Sequence, residues 1–508
     1  MTVQPERAPT SETSPKEDIE RLLQDPSLLF KLKQELDRYI IGEDESKLLL
    51  YLICASSFTK FNLSAIITGS SSSGKSWLKK NVLQYFGNVL SYTRVTGAAP
   101  DRLGKSLVGK ILDVEELRGS EAAQPTLRIA ISEGRLSLLT TARNPEGGIT
   151  TEEITTEGTP TFITTCTSPD IDDELLNRLF MISLNESKEH TKEIIKFEAE
   201  KYHRLGDVED AEKPNMLFGA IINELLPITT VEIPFLEFLA AKFPLPEGKE
   251  RACGPRRDFK KLVYLIGIVA WLHQKQRVIV EKTGILDRCV VASPVDFQLV
   301  WNLCETGFLQ TLYRLTKRHE EVLSCFKSDS IKTTGEVAAE TGYSENRARD
   351  YLRGLVYRGY LAEDDSQKTH KYMLKQEKKL QGTIAEFVAS LNGFEENRLE
   401  EWLKHQNYKI VFKPLSPPKA INPVTGEVLE RLETKTILLN LPIATEHGTI
   451  PPIELSDATK KRIEASCKLC IERHKTDTSA STAERPRPIQ VCHTTDIFGF
   501  GLSTHQEK

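Results

Sequence analysis

At 508 residues the chain has room for roughly two to four domains and a large core, and its net charge of -5 gives no general basic surface for nucleic acid. Nine cysteines are spread widely, mostly inside apolar runs such as Tyr51-Leu52-Ile53-Cys54, which fits a reducing compartment better than a disulfide framework. Residues 1–16 are rich in Pro, Ser, Thr and Glu, lack an apolar core and read as a flexible tail, and the longest apolar run, Leu262 to Leu272, is too short and interrupted to span a bilayer. These features point to a soluble, cytoplasmic protein with no membrane partner.

Between residues 17 and 60 apolar positions recur at helical spacing through Ile19, Leu22, Leu23, Leu28, Leu29, Leu32 and Leu36. Ile40-Ile41-Gly42 makes a turn before a further helix, Ser46 to Ser57. Leu63 to Thr68 reads as a buried strand running into Gly69-Ser70-Ser71-Ser72-Ser73-Gly74-Lys75-Ser76, a complete G-x-x-x-x-G-K-[ST] phosphate loop. Trp77 to Leu83 reads as the helix that leaves it. Small residues let backbone N–H groups wrap phosphates, and the helix N-terminus adds positive potential. Every residue from Gly69 to Ser76 is therefore an ATP-binding candidate. Lys75 is expected to reach the β- and γ-phosphates and Ser76 to hold Mg²⁺.

Val89 to Val95 and Lys110 to Glu116 are the next strands in the pattern. The later one ends in carboxylates, where a strand C-terminus meets the crevice of an open α/β sheet. A phosphate-loop ATPase needs two acids there, one in the Mg²⁺ shell and one polarising the attacking water. Glu115 is the preferred metal-side acid and Glu116 the preferred catalytic one, with Asp113 as the alternative register. A helix from Pro125 to Glu133 precedes two β-rich runs, Arg135–Thr141 and Ile149–Thr156, around a turn at 143–148, which makes a hairpin. Pro160 to Thr167 is the fourth core strand. Leu175-Leu176-Asn177-Arg178-Leu179-Phe180 leads into the fifth, Met181 to Leu184.

This order of phosphate loop, acid pair, helix, hairpin, fourth strand, Leu-Leu-Asn-Arg-Leu-Phe and fifth strand resembles the AAA+ module of the minichromosome-maintenance helicases, over roughly residues 30 to 315. Leu127 to Ser137 is similar to that family's entry into its hairpin. The resemblance implies an α/β fold, with a parallel sheet covered by helices on both faces over 17–190 and a helical lid over 191–316. It implies that the Ile40-Ile41-Gly42 turn cradles adenine and that the hairpin touches DNA around Arg143. Ser168 falls where the family has a sensor-1 Asn, with Thr167 as the other choice. Arg178 matches the finger that reaches a neighbouring subunit's γ-phosphate. Arg257, or else Arg256, at the start of the helix opened by Gly254-Pro255, matches sensor 2. The interval between the second and third strands is short, so the family's channel insertion is reduced. ATP and Mg²⁺ are the implied cofactors, and a hexameric ring on DNA the implied assembly.

Ser293-Pro294 opens another helix with Ser as cap and Pro at its first position. Residues 317–376 then resemble a winged helix-turn-helix. Thr334 to Gly342 and Ser344 to Leu355 supply the helices, and Gly359–Leu361 with Lys371–Leu374 the wing. Arg347, Arg349, Arg353 and Lys368 are the candidate DNA contacts; a charged face that binds protein is the other reading. Residues 377–508 form a C-terminal extension, partly disordered, with a Pro-rich stretch at 412–423 and a β segment at 434–441. Cys467, Cys470, Cys492 and His493 are a possible zinc ligand set.

Taken together, the expectation is a ring-shaped, ATP-hydrolysing DNA helicase of replication, from a virus, plasmid or integrated element, working with a primase or other replication proteins. Two alternatives share the same motor: a AAA+ transcription regulator, and a helicase or clamp loader with a DNA-binding C-terminal domain.

Overall fold

The structure, a computed structural model, describes residues 15–97, 99–100, 106–117, 121–143, 149–167, 173–201, 214–225, 230–243, 254–282, 288–313, 317–326, 330–357, 360–364, 370–374, 402, 408–416 and 418–429. Three helices open it: α1 (Pro15–Gln24), α2 (Leu28–Asp37) and α3 (Asp44–Ala55). The α/β core follows as β1 (Ala65–Thr68), α4 (Lys75–Leu83), β2 (Val89–Tyr92), β3 (Ile111–Val114), α5 (Gln124–Glu133), β4 (Arg135–Arg143), β5 (Ile149–Glu157), β6 (Thr161–Cys166), α6 (Asp173–Leu176) and β7 (Phe180–Ser183). Next come α7 (Lys188–Lys201), α8 (Leu217–Asn223), β8 (Thr230–Glu232), α9 (Leu236–Lys242), α10 (Gly254–Leu272), β9 (Val278–Lys282), β10 (Arg288–Val291) and α11 (Pro294–Tyr313). The chain continues through α12 (Lys317–Ser324), β11 (Ile331–Thr333), α13 (Thr334–Thr341), α14 (Glu345–Tyr357), β12 (Leu361–Asp364), β13 (Lys371–Leu374) and β14 (Tyr408–Phe412).

The central sheet has five strands in the order β2-β3-β6-β1-β7, and every pairing in it is parallel. Its strands are short and rich in Ile, Val and Phe because both faces are covered. Side-chain alternation divides them cleanly. Ile67, Ile111, Ile163, Phe180 and Ile182 join the core shared with α3, α4, α10 and α11. Ile66, Leu112, Val114, Phe162 and Cys166 join a second core with Leu127 of α5 and Leu175 of α6. α3 is buried from Lys47 to Ala55, which explains why its sequence is apolar nearly all round. Because the strands are parallel, Thr68, Val114, Cys166 and Ser183 all end on one edge, and β6 lies between the phosphate-loop strand and the acid strand.

The hairpin β4–β5 pairs through nine residues on each side, from Arg135 opposite Glu157 to Arg143 opposite Ile149. Among the described residues no helix is long and apolar enough to cross a membrane.

The structure departs from the sequence reading over 191–316. In place of helix alone, that stretch holds β8, β9 and β10, with β8 parallel to β10 and β9 antiparallel to it. β14, from within the expected C-terminal extension, adds to the free side of β9. Tyr408 fastens it by donating its hydroxyl to Glu232 at 2.6 Å and packing on Trp402. The Val278-Ile279-Val280 and Cys289-Val290-Val291 runs, with Gly284 between them, carry the hairpin signature that a helical reading passes over. The segment at 434–441, Lys368 and the four zinc candidates Cys467, Cys470, Cys492 and His493 lie outside the described residues.

Ser293 does precede α11, but its hydroxyl is not the cap: that oxygen has no partner among the described residues. Asp296 accepts the Ser293 N–H at 2.8 Å instead. The same carboxylate takes three hydrogen bonds of 2.7–3.0 Å from Arg277, whose side chain is 2% exposed while that of Asp296 is fully enclosed. Removing one member strands a buried charge, whereas replacing both by apolar groups is far milder. Asp296→Ala is expected to cost about 3–5 kcal/mol in chemical denaturation, and Arg277→Met/Asp296→Leu substantially less. Equal losses in the two would show that the pair is not the source of the effect.

Candidate functional site

The site is built at the C-terminal edge of the sheet. β1 delivers the chain to Gly69, and α4 starts at Lys75. Two loop residues take left-handed backbone conformations, Ser72 (φ 64°) and Gly74 (φ 91°), and the Ser73 N–H donates to the Ser70 carbonyl at 3.3 Å across the turn between β1 and α4. At Gly74 the conformation alone selects glycine, since an added Cβ would meet nothing within 4 Å. Lys75 is buried, and its ammonium curls back onto the loop, donating to the Gly69 carbonyl at 3.1 Å and the Ser70 carbonyl at 2.5 Å. Burial lowers its pKa; the charge of Glu186, then those of Cys166 and Glu116, work in the opposite direction. Ser76 is exposed on the first turn of α4.

The acid pair sits just past β3. Glu115 and Glu116 are exposed, while their backbone is pinned: Glu115 donates its N–H to Tyr92, and its carbonyl accepts the Thr165 hydroxyl at 2.5 Å. The charge of Glu116 is among those that oppose the lowering of the Lys75 pKa. Asp113 is buried on the α4 face, where its carboxylate pairs with Lys79 at 2.7 Å. That pairing links β3 to α4. Among the described residues no group of three or more His, Cys, Asp or Glu forms a metal site unaided. Mg²⁺ at a phosphate loop draws most of its ligands from water and phosphate, so one hydroxyl and one carboxylate from the protein suffice.

The Ile40-Ile41-Gly42 turn lies against the same edge. Gly42 (φ 60°) and Glu43 (φ 52°) are both left-handed, and a Cβ on Gly42 would come within 2.6 Å of the His190 ring. The turn is held from inside by Lys47, fully buried, whose ammonium donates to the Gly42 carbonyl at 2.9 Å and to Asp44 at 2.7 Å and also bonds Asp37. Trp77 on α4 donates its indole N–H to the Tyr39 carbonyl at 2.7 Å, and Glu43 accepts the Asn185 N–H. The turn is thereby tied to α4 and to the segment after β7.

Other candidates fare differently. Arg178 is half-buried between α6 and β7, with its guanidinium donating to the Ser132 hydroxyl on α5 and to the Glu174 carbonyl. Arg256 and Arg257 are exposed on the first turns of α10. Thr167 is exposed after β6; Ser168 lies outside the described residues. The backbone of Arg143 ends β4, and its side chain is likewise outside them. The hairpin arms carry Glu152, Glu153 and Glu157, and Arg135 pairs with Glu153 at 3.7 Å. Arg347, Arg349 and Arg353 are exposed on α14, while Ala348, Leu352 and Leu355 are buried beneath them.

Two residues of the site carry no sequence motif. Glu186, just past β7, accepts the Ser70 N–H with one carboxylate oxygen and bonds Arg318 of α12 with the other. Burial works against this carboxylate, but the hydrogen bonds from Ser70 and Arg318 outweigh it and hold its pKa below the usual range. Arg318 also donates to the Tyr351 hydroxyl on α14 at 3.2 Å. Glu186 and Arg318 are 132 residues apart in the chain, and only the fold brings them together.

No family model matches the chain, and no curated protein matches it.

The two acid registers separate experimentally. Glu116→Gln is expected to keep nucleotide affinity and lose turnover by about a hundredfold or more. Asp113→Asn is expected to lower the melting temperature by leaving Lys79 buried without a counter-charge. Loss of turnover in a fully stable Asp113→Asn protein would reverse the assignment.

Proposed function

We propose that the chain is an ATP-hydrolysing motor of the minichromosome-maintenance-like AAA+ type that assembles as a ring, a hexamer, and translocates on DNA as a replicative helicase. The observation that carries this reading is the edge geometry: a complete phosphate loop after β1, an acid pair after β3, and a third strand, β6, inserted between them. In the proposed reaction, Lys75 and the loop N–H groups bind the β- and γ-phosphates and Ser76 with Glu115 holds Mg²⁺. Glu116 orients the attacking water. Arg178 reaches the γ-phosphate of the next subunit, and Arg257 with Ser168 reads the bound nucleotide from its own chain. The segment α12–α14 with the sheet β11-β13-β12 is read as a winged helix, with α14 as the helix that meets DNA.

A second reading keeps the ATPase and changes the task, to that of a loader or a transcription regulator. The acidic arms of the hairpin favour it, since a channel-lining hairpin that grips DNA gains nothing from three glutamates.

Lys75→Ala is expected to abolish turnover, and so is Arg178→Ala with its phosphate loop intact. A finger supplied across an interface is worth roughly 10³ to 10⁵ in rate. Mixing the two inactive proteins should therefore restore measurable ATPase activity, because some interfaces then pair an intact loop with an intact arginine. Zero activity in rings shown to be mixed, or full activity of Arg178→Ala alone, contradicts the shared site.

The placement of basic residues on α14 predicts a salt effect. Replacing Arg347, Arg349 and Arg353 together by Gln should weaken DNA binding and reduce the slope of log K against log salt by about 0.9 for each phosphate that is no longer neutralised. An unchanged slope would assign α14 to a protein partner.

A further inference from the structure

A phosphate loop presents N–H groups and a lysine that favour an anion. Here a carboxylate of the protein itself meets the loop: one oxygen of Glu186 accepts the Ser70 N–H, and a Cβ on Gly69 would lie 3.0 Å from that oxygen. The other oxygen is held by Arg318. Glu186 is also the strongest charge acting on Lys75. The arrangement copies in outline what a nucleotide phosphate requires, an anionic oxygen on the loop N–H near the lysine and within reach of a guanidinium.

We infer that Glu186 is a resident anion which the phosphates of a nucleotide must displace, and that Arg318, released by that displacement, becomes a phosphate ligand of the same site. The inference rests on the reading of residues 69–76 as a nucleotide site. Two anions cannot share one loop N–H at hydrogen-bond distance without strong repulsion, so binding exchanges one for the other. Arg318 then faces a vacancy that a phosphate oxygen fills better than water, because the guanidinium fork matches it in shape and charge. The arginine also donates to the Tyr351 hydroxyl, and the Tyr351 ring is packed edge-on by the His319 ring at 5.2 Å. Tyr351 belongs to α14, the helix that carries Arg347, Arg349 and Arg353. Exchange of the anion on the loop therefore acts directly on the side chain that ties the loop to that helix.

The test is equilibrium binding of a fluorescent ATP analogue with Mg²⁺ to the full chain. Glu186→Gln keeps the shape and removes the charge, and it should bind about tenfold tighter or better than the wild type. Glu186→Ala should do the same, which separates the effect from any new contact by Gln. Adding Arg318→Gln to Glu186→Gln should lose about tenfold again, because the released ligand is gone. Wild-type binding with equal or weaker binding by both Glu186 variants overturns the resident-anion role and leaves the nucleotide site standing. An unchanged affinity on adding Arg318→Gln overturns the role of Arg318 as ligand. Absence of binding in the wild type and in both Glu186 variants sinks the nucleotide reading and this inference together.

Discussion

The position of β1 between β6 and β7 is the constraint on which the rest depends. All four β1 residues pair in parallel register with both neighbours, Thr68 standing opposite Cys166 on one side and Ser183 on the other. The loop that follows carries unusual backbone angles at Ser72 and Gly74, and such angles persist only where the surroundings fix both ends. One end is the clamped strand. The other is α4, tied to β3 by the buried Lys79–Asp113 pair and to the Tyr39 carbonyl by Trp77. Within this frame the loop is held at both ends, by β1 and by α4.

The same frame explains how charges are distributed. Several buried ions among the described residues are paired, as expected where water is excluded: Lys79 with Asp113, Lys47 with Asp37 and Asp44, Lys261 with Asp258, and Arg277 with Asp296. Lys79–Asp113 joins α4 to β3, Lys47–Asp37 joins α3 to α2, Arg277–Asp296 joins the residue before β9 to α11, and Lys261, paired within α10, also donates to the Leu179 carbonyl ahead of β7. The exposed acids, Glu115 and Glu116, have no such structural duty, and their backbone is nonetheless fixed by Tyr92 and Thr165. A fixed backbone with an exposed carboxylate is what a group that must meet metal or water requires.

Much of the core was legible in the sequence because its signals are local. The phosphate loop announces itself by spacing, and β3, β6 and β7 by short runs that alternate between two buried faces. The hairpin followed from two β-rich runs about a Pro-Gly turn, and α13 and α14 from helical periodicity. What escaped depends on long-range contact. β8 is three residues long, and β14 pairs with β9 across more than a hundred residues of chain, so their β-rich runs do not by themselves reveal which strand they join. The pairing of Asp113 with Lys79 is another long-range contact that nothing in the neighbourhood of Asp113 reveals. Glu186 and Arg318 look like ordinary surface charges until the sheet edge and α12 bring them to the loop. The β9–β10 hairpin is a different case, since its valine runs were readable and a helical expectation obscured them.

On the proposed reading, the step from ATPase to helicase turns on what hydrolysis moves. The direct measurement is displacement of a labelled strand from a forked DNA duplex by the purified full chain, with ATP, with a non-hydrolysable analogue, and with the Lys75→Ala protein. Strand release by the wild type with ATP, absent in the other two reactions, is the result expected of a helicase. ATP hydrolysis that DNA stimulates but that releases no strand from any fork would contradict it and point to a motor that remodels protein.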